Sequence, residues 1–329
     1  MIVPAPFLMV ALVLAPILQA DPPGAVVWNS SELERRNEAL STGVGPVGNR
    51  SSRETLADYG NPTGAHRFRF IRRESDGMDA HPEIHDDIED VVFIQSGEAT
   101  LLVGGEMINR SGDGGDGIEG AVRYPVAAGD LIHIPASTPH GYVVPEGGHV
   151  TYLLLRVPAF VGERAASTDA RPVQDDPPGF ALWSASELAQ RDAALFSIPG
   201  RDQEPGVRIN SSRETLGDFG SGGATHRFRL ILSTGNRIPE QHLDIEDVVF
   251  IVSGDGILEV GGEMINSNGV IWSGGGFTDE DIVDGTRYPV GAGDIIHIPA
   301  NTAHGYLVPQ PGRLTYVLVR VPAFVGGTP

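Results

Sequence analysis

The stretch that decides the fold is residues 83–103, EIHDDIEDVVFIQSGEATLLV, which occurs again at residues 240–260 as EQHLDIEDVVFIVSGDGILEV. In each copy a short charged segment precedes a run of apolar and β-branched residues, and glycines interrupt that run. This pattern predicts two β-strands joined by a turn at the Ser-Gly pair, with a Gly-Gly break before a third short strand. A β-rich unit therefore occurs twice in the chain.

The duplication extends over nearly the whole sequence. SSRETL begins at residues 51 and 211, HRFR at 66 and 226, IHIPA at 132 and 296, and RVPAFVG at 156 and 320. The segment ASTDARPVQDDPPG between the copies is rich in Pro, Asp and Gly, as is typical of a linker. We predict a first domain at residues 21–165, a linker at 166–179 and a second domain at 180–329.

The local patterns within each copy are mostly those of β structure. LIHIP and IIHIP are short apolar strands that end at proline, and the many glycine turns predict a sandwich or barrel. Only residues 30–40 and 184–196 have helical spacing, each with a serine N-cap signal. The Gly- and Asp-rich insertions at 110–121 and 267–286 are predicted loops, either over a barrel mouth or as hairpin tips.

The charged residues exclude several functions. The 329 residues include 43 acidic and 23 basic residues, all of the basic ones arginine, and the net charge is -20. Without lysine or cysteine there is no Schiff-base catalysis, thiolate nucleophile, disulfide or iron–sulfur cluster. An acidic protein repels phosphate backbones and anionic membrane surfaces. We therefore expect a small-molecule substrate and no nucleic-acid partner.

The first twenty residues, MIVPAPFLMVALVLAPILQA, carry no charge. Prolines at positions 4, 6 and 16 divide the apolar stretch, which is too short to span a bilayer as one helix. We predict that residues 1–20 are a secretory signal peptide, and that the mature protein is secreted or periplasmic with no membrane contact. An uncleaved anchor is the alternative, because a basic leading segment is missing.

Eight of the ten histidines occupy matched positions in the two copies: His66 and His226, His85 and His242, His133 and His297, His140 and His304. In an extended strand, residues two apart share a face, so Glu83 and His85 point the same way, and Asp90 begins the next strand. If the strand of His140 lies beside them, two imidazoles and one or two carboxylates converge. The alternative is that the matched histidines only pack or form hydrogen bonds.

The same convergence is expected in the second copy, from Glu240, His242, Asp247 and His304. Two histidines and a carboxylate with open positions favour Fe(II), while Mn, Ni, Cu and Zn also suit such a site.

Further candidates lie on neighbouring strands. His66 and His226 alternate with aromatic and aliphatic residues, and we predict either a catalytic proton donor or acceptor or a buried histidine bonded to a carbonyl. Tyr142 and Tyr306 are two residues beyond the matched histidines and are predicted to orient a ligand. With lysine absent, six arginines could anchor a substrate carboxylate: Arg67, Arg69, Arg123, Arg227, Arg229 and Arg287.

Each half resembles a cupin, and the chain as a whole resembles a bicupin. Glu83-x-His85, four residues, Asp90, six residues and Gly97 are similar to the latter part of the first cupin motif. Gly129, Pro135 and His140 are similar to the second motif. The second copy repeats both with Glu240, His242, Asp247 and Gly254, then Gly293, Pro299 and His304. The resemblance implies an all-β chain of two tandem cupin-type jelly-roll β-barrels with short flanking helices.

The resemblance also implies a set of metal ligands. They would be His85, His140, Asp90 and Glu83 in the first copy, with the matching His242, His304, Asp247 and Glu240 in the second. Two departures from the family pattern bear on this set. Glutamate stands at the position of the first family histidine, and aspartate replaces the family glutamate. Because aspartate is shorter, Glu89 or Glu246 is an alternative ligand.

On this basis the chain is expected to be a metal-dependent bicupin enzyme acting on a small organic molecule, most simply an oxidoreductase of dioxygenase type. The resemblance leaves two alternatives open. One is a decarboxylase or lyase of a small organic acid, and the other is a non-catalytic ligand-binding or storage bicupin. A homo-oligomer is compatible with either reading.

Overall fold

The computed structural model describes residues 24–42, 51–61, 64–75, 81–159, 177–197, 211–221, 224–237, 239–265 and 281–323. The predicted signal peptide, most of the predicted linker and most of the second insertion lie outside these residues. The all-β fold with short flanking helices is confirmed. No helix in the described part of the chain is long and apolar enough to cross a membrane.

Within the residues described above, the first half contains ten strands and one helix. In chain order they are β1 (Val26–Trp28), α1 (Ser30–Thr42), β2 (Ser51–Asn61), β3 (Gly64–Glu74), β4 (Ile88–Val103), β5 (Glu106–Ile108), β6 (Gly117–Glu119), β7 (Val122–Ala127), β8 (Leu131–Ile134), β9 (His140–Val143) and β10 (His149–Pro158). Strands β5 and β6 form a hairpin that encloses most of the first insertion. Strands β2, β3, β4, β7, β8, β9 and β10 form one eight-stranded sheet together with β11 of the second half, and β1 belongs to the sheet of the second half.

The second half repeats this order. Its elements are β11 (Ala181–Trp183), α2 (Ala185–Phe196), β12 (Ser211–Ser221), β13 (Ala224–Ser233), β14 (Ile245–Val260), β15 (Glu263–Ile265), β16 (Asp281–Val283), β17 (Thr286–Gly291), β18 (Ile295–Ile298), β19 (His304–Leu307) and β20 (Leu314–Pro322). The long strand of each half, β4 or β14, pairs with four partners and so organises its barrel.

The turn predicted at Ser96-Gly97 is wrong, because β4 continues through it. Before Gly97 the strand pairs with β8 and β10, and after it with β7 and β9. Gly97 has φ 76°, and a Cβ atom there would lie 1.9 Å from the carbonyl oxygen of His149. The glycine therefore bends one strand from one side of the barrel to the other instead of ending it.

Both predicted helices are present, but their caps differ. Ser184 caps α2 by accepting a hydrogen bond from the backbone N–H of Glu187 at 3.2 Å, as predicted. In α1 the cap is Asn29, whose Oδ1 accepts from the backbone N–H of Glu32 at 2.9 Å. The backbone N–H of Ser30, the predicted cap, donates to Asp294 of the second half.

Each barrel encloses its own apolar core. In the first barrel the core includes Ile71, Val92, Leu101 and Tyr152, and in the second it includes the equivalent residues Ile231, Val249, Leu258 and Tyr316. A third apolar cluster lies between the barrels, where Phe93 and Phe250 stack at a centroid distance of 4.9 Å. Burial of this third cluster joins the two halves.

The two halves also exchange their first strands. Strand β1 pairs with β18 of the second half, and β11 pairs with β8 of the first half. Trp28 and Trp183 on these strands are almost fully buried in the cluster between the barrels. The predicted domain boundaries therefore divide the sequence at the repeat, while backbone hydrogen bonds cross from each half into the sheet of the other.

Candidate functional site

Strand register brings the predicted ligands of the first barrel together. Asp90 on β4 lies opposite Ile134 of β8 and Arg156 of β10. The segment before β4 bonds to the start of β9, because the N–H groups of Glu83 and His140 each donate to the other's carbonyl, at 2.7 and 2.9 Å. Side chains that are distant in sequence thus meet inside the barrel.

The converging atoms are two imidazole nitrogens and two carboxylates. Nε2 of His140 lies 3.4 Å from Oδ2 of Asp90. Nε2 of His85 lies 3.9 Å from the same oxygen and 3.5 Å from Oε2 of Glu83. His85, Asp90 and His140 are buried, and Glu83 is partly exposed. This is a two-histidine, carboxylate donor set of the kind that binds divalent transition metals.

The orientation of His140 suits ligation. Its Nδ1 lies 2.9 Å from the carbonyl oxygen of Thr138, so Nδ1 carries the proton and donates it. In the neutral ring Nε2 then carries the lone pair that a metal requires, and in the charged ring Nε2 donates to Asp90 instead. A backbone carbonyl that fixes the tautomer in this way is a regular feature of metal-binding histidines.

Arg156 lies among the same groups and was not predicted as a site residue. One Nη atom is 2.8 Å from Oε2 of Glu83 and 2.7 Å from Nε2 of His85, while Nε is 3.2 Å from Oδ1 of Asp90. Its only signal in the sequence is the repeated RVPAFVG segment, which begins with this arginine and with Arg320. The guanidinium neutralises carboxylates that would otherwise be buried together.

The two carboxylates stay ionised in this environment. Burial alone would raise the pKa of Glu83, but the hydrogen bond with His85 and the nearby charge of Arg73 hold it well below its usual range. Burial likewise opposes ionisation of Asp90, and the hydrogen bond with His140 and the charge of Arg156 outweigh it, so its pKa is lowered. The site therefore offers anionic oxygens to a cation.

The second barrel repeats the arrangement. Nε2 of His304 lies 3.2 Å from Oδ2 of Asp247, and Nδ1 of His304 donates to the carbonyl of Thr302 at 2.9 Å. Arg320 contacts Glu240 and His242, each at 2.8 Å. All eight predicted metal ligands are therefore grouped as predicted, four in each barrel. Whether they bind a metal stays a prediction.

The tyrosines predicted to orient a ligand line the same pockets. Tyr142 lies beside Asp90 and His140, and Tyr306 lies beside Asp247 and His304. Among the described residues neither buried hydroxyl has a hydrogen-bond partner. Burial raises the pKa of both tyrosines well above the usual value, so each hydroxyl keeps its proton and can donate it to a ligand.

These observations test whether the residues fit a metal. Ligand atoms of Glu83, His85 and His140 lie within 4.8 Å of one another, and the same holds for His242, Asp247 and His304. The donor types suit iron, manganese, nickel, copper or zinc, and an unpartnered hydroxyl borders each set. The residues fit a transition metal, which would share its carboxylates with the arginine.

The predicted catalytic histidines lie elsewhere. Nδ1 of His66 is 2.8 Å from Oε2 of Glu246, and Nδ1 of His226 is 2.9 Å from Oε2 of Glu89, so each contact joins the two halves. The face that carries His66 packs in the cluster between the barrels instead of against the candidate ligands. Their catalytic role stays a prediction, and their observed partners are carboxylates of the other barrel.

The same contacts place the alternative ligands Glu89 and Glu246. Oε2 of Glu89 is 3.0 Å from Nε2 of His133, and Oε2 of Glu246 is 3.0 Å from Nε2 of His297. Glu89 and Asp90 are neighbours on β4 and point to opposite faces. The shorter aspartate therefore faces the barrel interior, and the glutamate faces the other barrel.

The first insertion reaches the candidate site. Its hairpin bonds to the segment before β4 through the N–H of Ile84 and the carbonyl of Asp113, at 2.8 Å. A carboxylate oxygen of Asp113 lies 3.3 Å from Nδ1 of His85. His81 lines the pocket beside Glu83. Of the two positions considered for this insertion, these contacts agree with the one over a barrel mouth, although β5 and β6 also form a hairpin there.

Comparison with known proteins shows which solved structures share this fold. No family model matches the chain, and no curated protein matches its sequence. The chain is similar to a salicylate 1,2-dioxygenase from Pseudaminobacter salicylatoxidans, at 14% identity over 94% of this chain and 87% of that chain, with a TM-score of 0.57. A mutant of that enzyme in complex with gentisate matches at 12% identity, over 94% and 84%, also with a TM-score of 0.57. At these identities the likeness shows a shared fold.

Proposed function

We propose that this chain, which has the fold of a bicupin, is a cupin-type metalloenzyme acting on a small organic molecule, with oxidoreductase chemistry of dioxygenase type. The observation that carries the proposal is the convergence of two buried imidazoles and a buried carboxylate inside each barrel. This donor set with open positions suits a non-haem Fe(II) centre.

Each barrel has its own set of residues that would hold a metal. His85, His140 and Asp90, with Glu83 beside them, would hold the metal in the first barrel, and His242, His304, Asp247 and Glu240 in the second. When bound, the metal would supply a redox-active Lewis acid with positions open to substrate and dioxygen. Tyr142, whose buried hydroxyl has no hydrogen-bond partner among the described residues, would donate its phenol proton to a polar atom of the bound molecule, and the apolar core around it limits entry of water.

Metal analysis of matched variants tests the metal centre. We expect the purified protein to contain a transition metal, and the double variant His140→Ala/His304→Ala to lose it while keeping its circular dichroism spectrum. His149→Ala is the matched control, because His149 is an unmatched histidine outside the candidate sites. Metal content that is unchanged in the double variant would refute the assignment.

Oxygen uptake tests the reaction type. The iron-loaded protein is mixed with a panel of phenols and small organic acids in an oxygen electrode. Substrate-dependent oxygen consumption is expected for the dioxygenase reading. Release of carbon dioxide without oxygen consumption would instead support the decarboxylase hypothesis. Absence of both reactions would favour a ligand-binding protein.

The secreted or periplasmic location of the mature protein, proposed from residues 1–20, is tested by fractionating the expressing cells.

A further inference from the structure

A cavity of about 330 Å³ adjoins the candidate metal site of the first barrel, and half of its eight lining residues are arginines. They are Arg53, Arg69, Arg73 and Arg156. The cavity also touches Glu83, so it opens directly onto the candidate ligands. A volume of this size lies at the lower end of the range for small-molecule sites.

Strand geometry places the arginines together. Arg69 and Arg73 lie four residues apart on β3 and share the face that is opposite to Phe68 and Phe70. Arg53 of β2 is paired in register with Ile71, between them, and Arg156 comes from β10 on the other side of β3. Three neighbouring strands thus present their cations on the interior face of one sheet.

The cations of the cavity are only partly neutralised. Arg73 and Arg156 pair with Glu83, at 2.7 and 2.8 Å, and Arg156 also contacts Asp90. Within the described residues, neither Arg53 nor Arg69 forms a salt bridge or hydrogen bond through its side chain. Burial and the charges of neighbouring arginines, Arg156 and Arg53 foremost, lower the pKa of Arg69. The charge of Asp58 acts in the opposite direction but does not outweigh these effects. Glu83 is thus shared by two of the four arginines, and a further anion would be attracted to the other two.

The second barrel carries matching arginines at Arg213, Arg229 and Arg320. Ser233 stands at the position of Arg73, and Arg237, which lies beyond β13, makes the equivalent contacts with Glu240 and Tyr316. There too burial, followed by the charges of Arg320 and Arg213, lowers the pKa of Arg229. Two copies of a cationic cluster stand out in a chain whose net charge is -20. The overall negative field disfavours large polyanions most strongly, so a small anion held by local cations is the kind of ligand that suits this cluster.

We propose that the arginine cavity binds a small organic carboxylate, held by the guanidinium groups of Arg53 and Arg69 next to the candidate metal site. Guanidinium binds carboxylate through two parallel hydrogen bonds, which orients the bound molecule as well as holding it. As a statement about the substrate, the inference rests on the proposed function. As a binding site, it stands on the arginines alone and is tested without metal.

Calorimetric titration of the full chain, stripped of metal with a chelator, tests the site. Benzoate is the probe, and benzamide is its uncharged analogue of nearly the same shape. We expect benzoate to bind and benzamide to bind at least tenfold more weakly. In the double variant Arg69→Gln/Arg229→Gln the affinity for benzoate should fall at least tenfold, and in the exposed Arg53→Gln/Arg213→Gln pair it should also fall. Arg35→Gln, an exposed arginine of α1, is the control and should bind as the wild type does.

Three results would overturn the proposal: equal binding of benzoate and benzamide, unchanged affinity in both arginine variants, or binding of inorganic phosphate but not of benzoate. Because the protein contains no metal in this experiment, a negative result leaves the metal analysis of the histidine variants independent. Conversely, loss of the metal assignment would leave benzoate binding by the arginines unaffected.

Discussion

Arg156 and Arg320 define the chemistry of the candidate sites at the scale of single residues. Each guanidinium contacts both carboxylates and one histidine of its barrel. Buried carboxylates without a cation are strongly unfavourable, so the arginine stabilises the site when no metal is bound. A metal that binds there would take over part of this role, and the arginine and the metal are linked through their shared ligands.

This linkage predicts the behaviour of Arg156→Met. Removal of the guanidinium leaves Asp90 and Glu83 without their shared cation, and we expect the metal-free protein to lose about 3 kcal/mol of stability. Added Mn²⁺ should then raise the melting temperature of the variant more than that of the wild type. Arg110→Met, which removes an exposed pair with Asp86, is the control and should barely change the melting temperature. An Mn²⁺ response that is equal in variant and wild type would contradict the linkage.

Tyr59 allows a pH prediction away from the metal ligands. Its ring stacks on His297 of the second half at 4.2 Å, and burial, aided by the charge of Glu246, raises its pKa to about 12. An unfolded tyrosine titrates near pH 10. Folding therefore favours the protonated phenol, and this stabilisation is complete below about pH 10 and lost as the pH rises through about 12.

The measurement is the urea midpoint of wild type and Tyr59→Phe at several alkaline pH values. The wild type should lose stability more steeply than the variant between about pH 10 and 12, because phenylalanine has no proton to lose. The absence of lysine and cysteine keeps this range free of other titrating side chains except tyrosines. Identical pH profiles would show that Tyr59 titrates normally.

At the scale of elements, the long strand β4 determines the barrel. Its bend at Gly97 lets one segment pair with β8 and β10 and the next with β7 and β9. A Cβ atom at Gly97 would require both an unfavourable positive φ and displacement of the His149 carbonyl. The bend is thus a position where only glycine fits.

Gly97→Ala is therefore expected to destabilise the protein by about 3 kcal/mol or more, measured by urea unfolding. Gly112→Ala is the matched control, since Gly112 has φ 61° but no atom within 4 Å of its added Cβ. The control substitution should lower the free energy of unfolding by about 1 kcal/mol, because only the unfavourable positive φ contributes there. Equal losses in the two variants would mean that the close approach to His149 contributes nothing.

Local patterns predict the elements better than their connections. The short strand of LIHIP and the helix after Ser184 follow from apolar spacing and a capping serine, and both are present. A glycine with positive φ serves equally in a turn and in a bent strand, so the sequence at Ser96-Gly97 does not distinguish them. The grouping of His85, Asp90 and His140 was predictable because the motif spacing is repeated.

Contacts between the halves were not predictable from local pattern. The bond between His226 and Glu89 joins residues on two different barrels, and no periodicity indicates which strand face meets the other copy. For the same reason the role of Arg156 was missed, although its segment is duplicated. Its partners Glu83, His85 and Asp90 are far away in sequence, and only the register of β10 on β4 brings them near.

At the scale of the whole molecule, the two barrels behave as one structural unit. Each half donates its first strand to the sheet of the other, and a shared apolar cluster lies between them. The carboxylates of Glu89 and Glu246 each bond to one histidine from either half. Separation of the barrels would therefore break backbone pairing, expose aromatic residues and leave buried charged groups unpaired, and all three changes are unfavourable.

The last prediction follows from this shared structure: damage inside one barrel should destabilise both. Leu258→Ala removes a fully buried side chain from the core of the second barrel and should cost roughly 2–5 kcal/mol. Hydrogen exchange followed by mass spectrometry then compares β20 of the same barrel with β10 of the other. If the halves unfold together, exchange accelerates by a similar factor in both strands, because both exchange through the same global unfolding. The exposed substitution Val283→Ala is the control and should alter neither strand appreciably. Faster exchange in β20 alone would show that each barrel unfolds independently despite the exchanged strands.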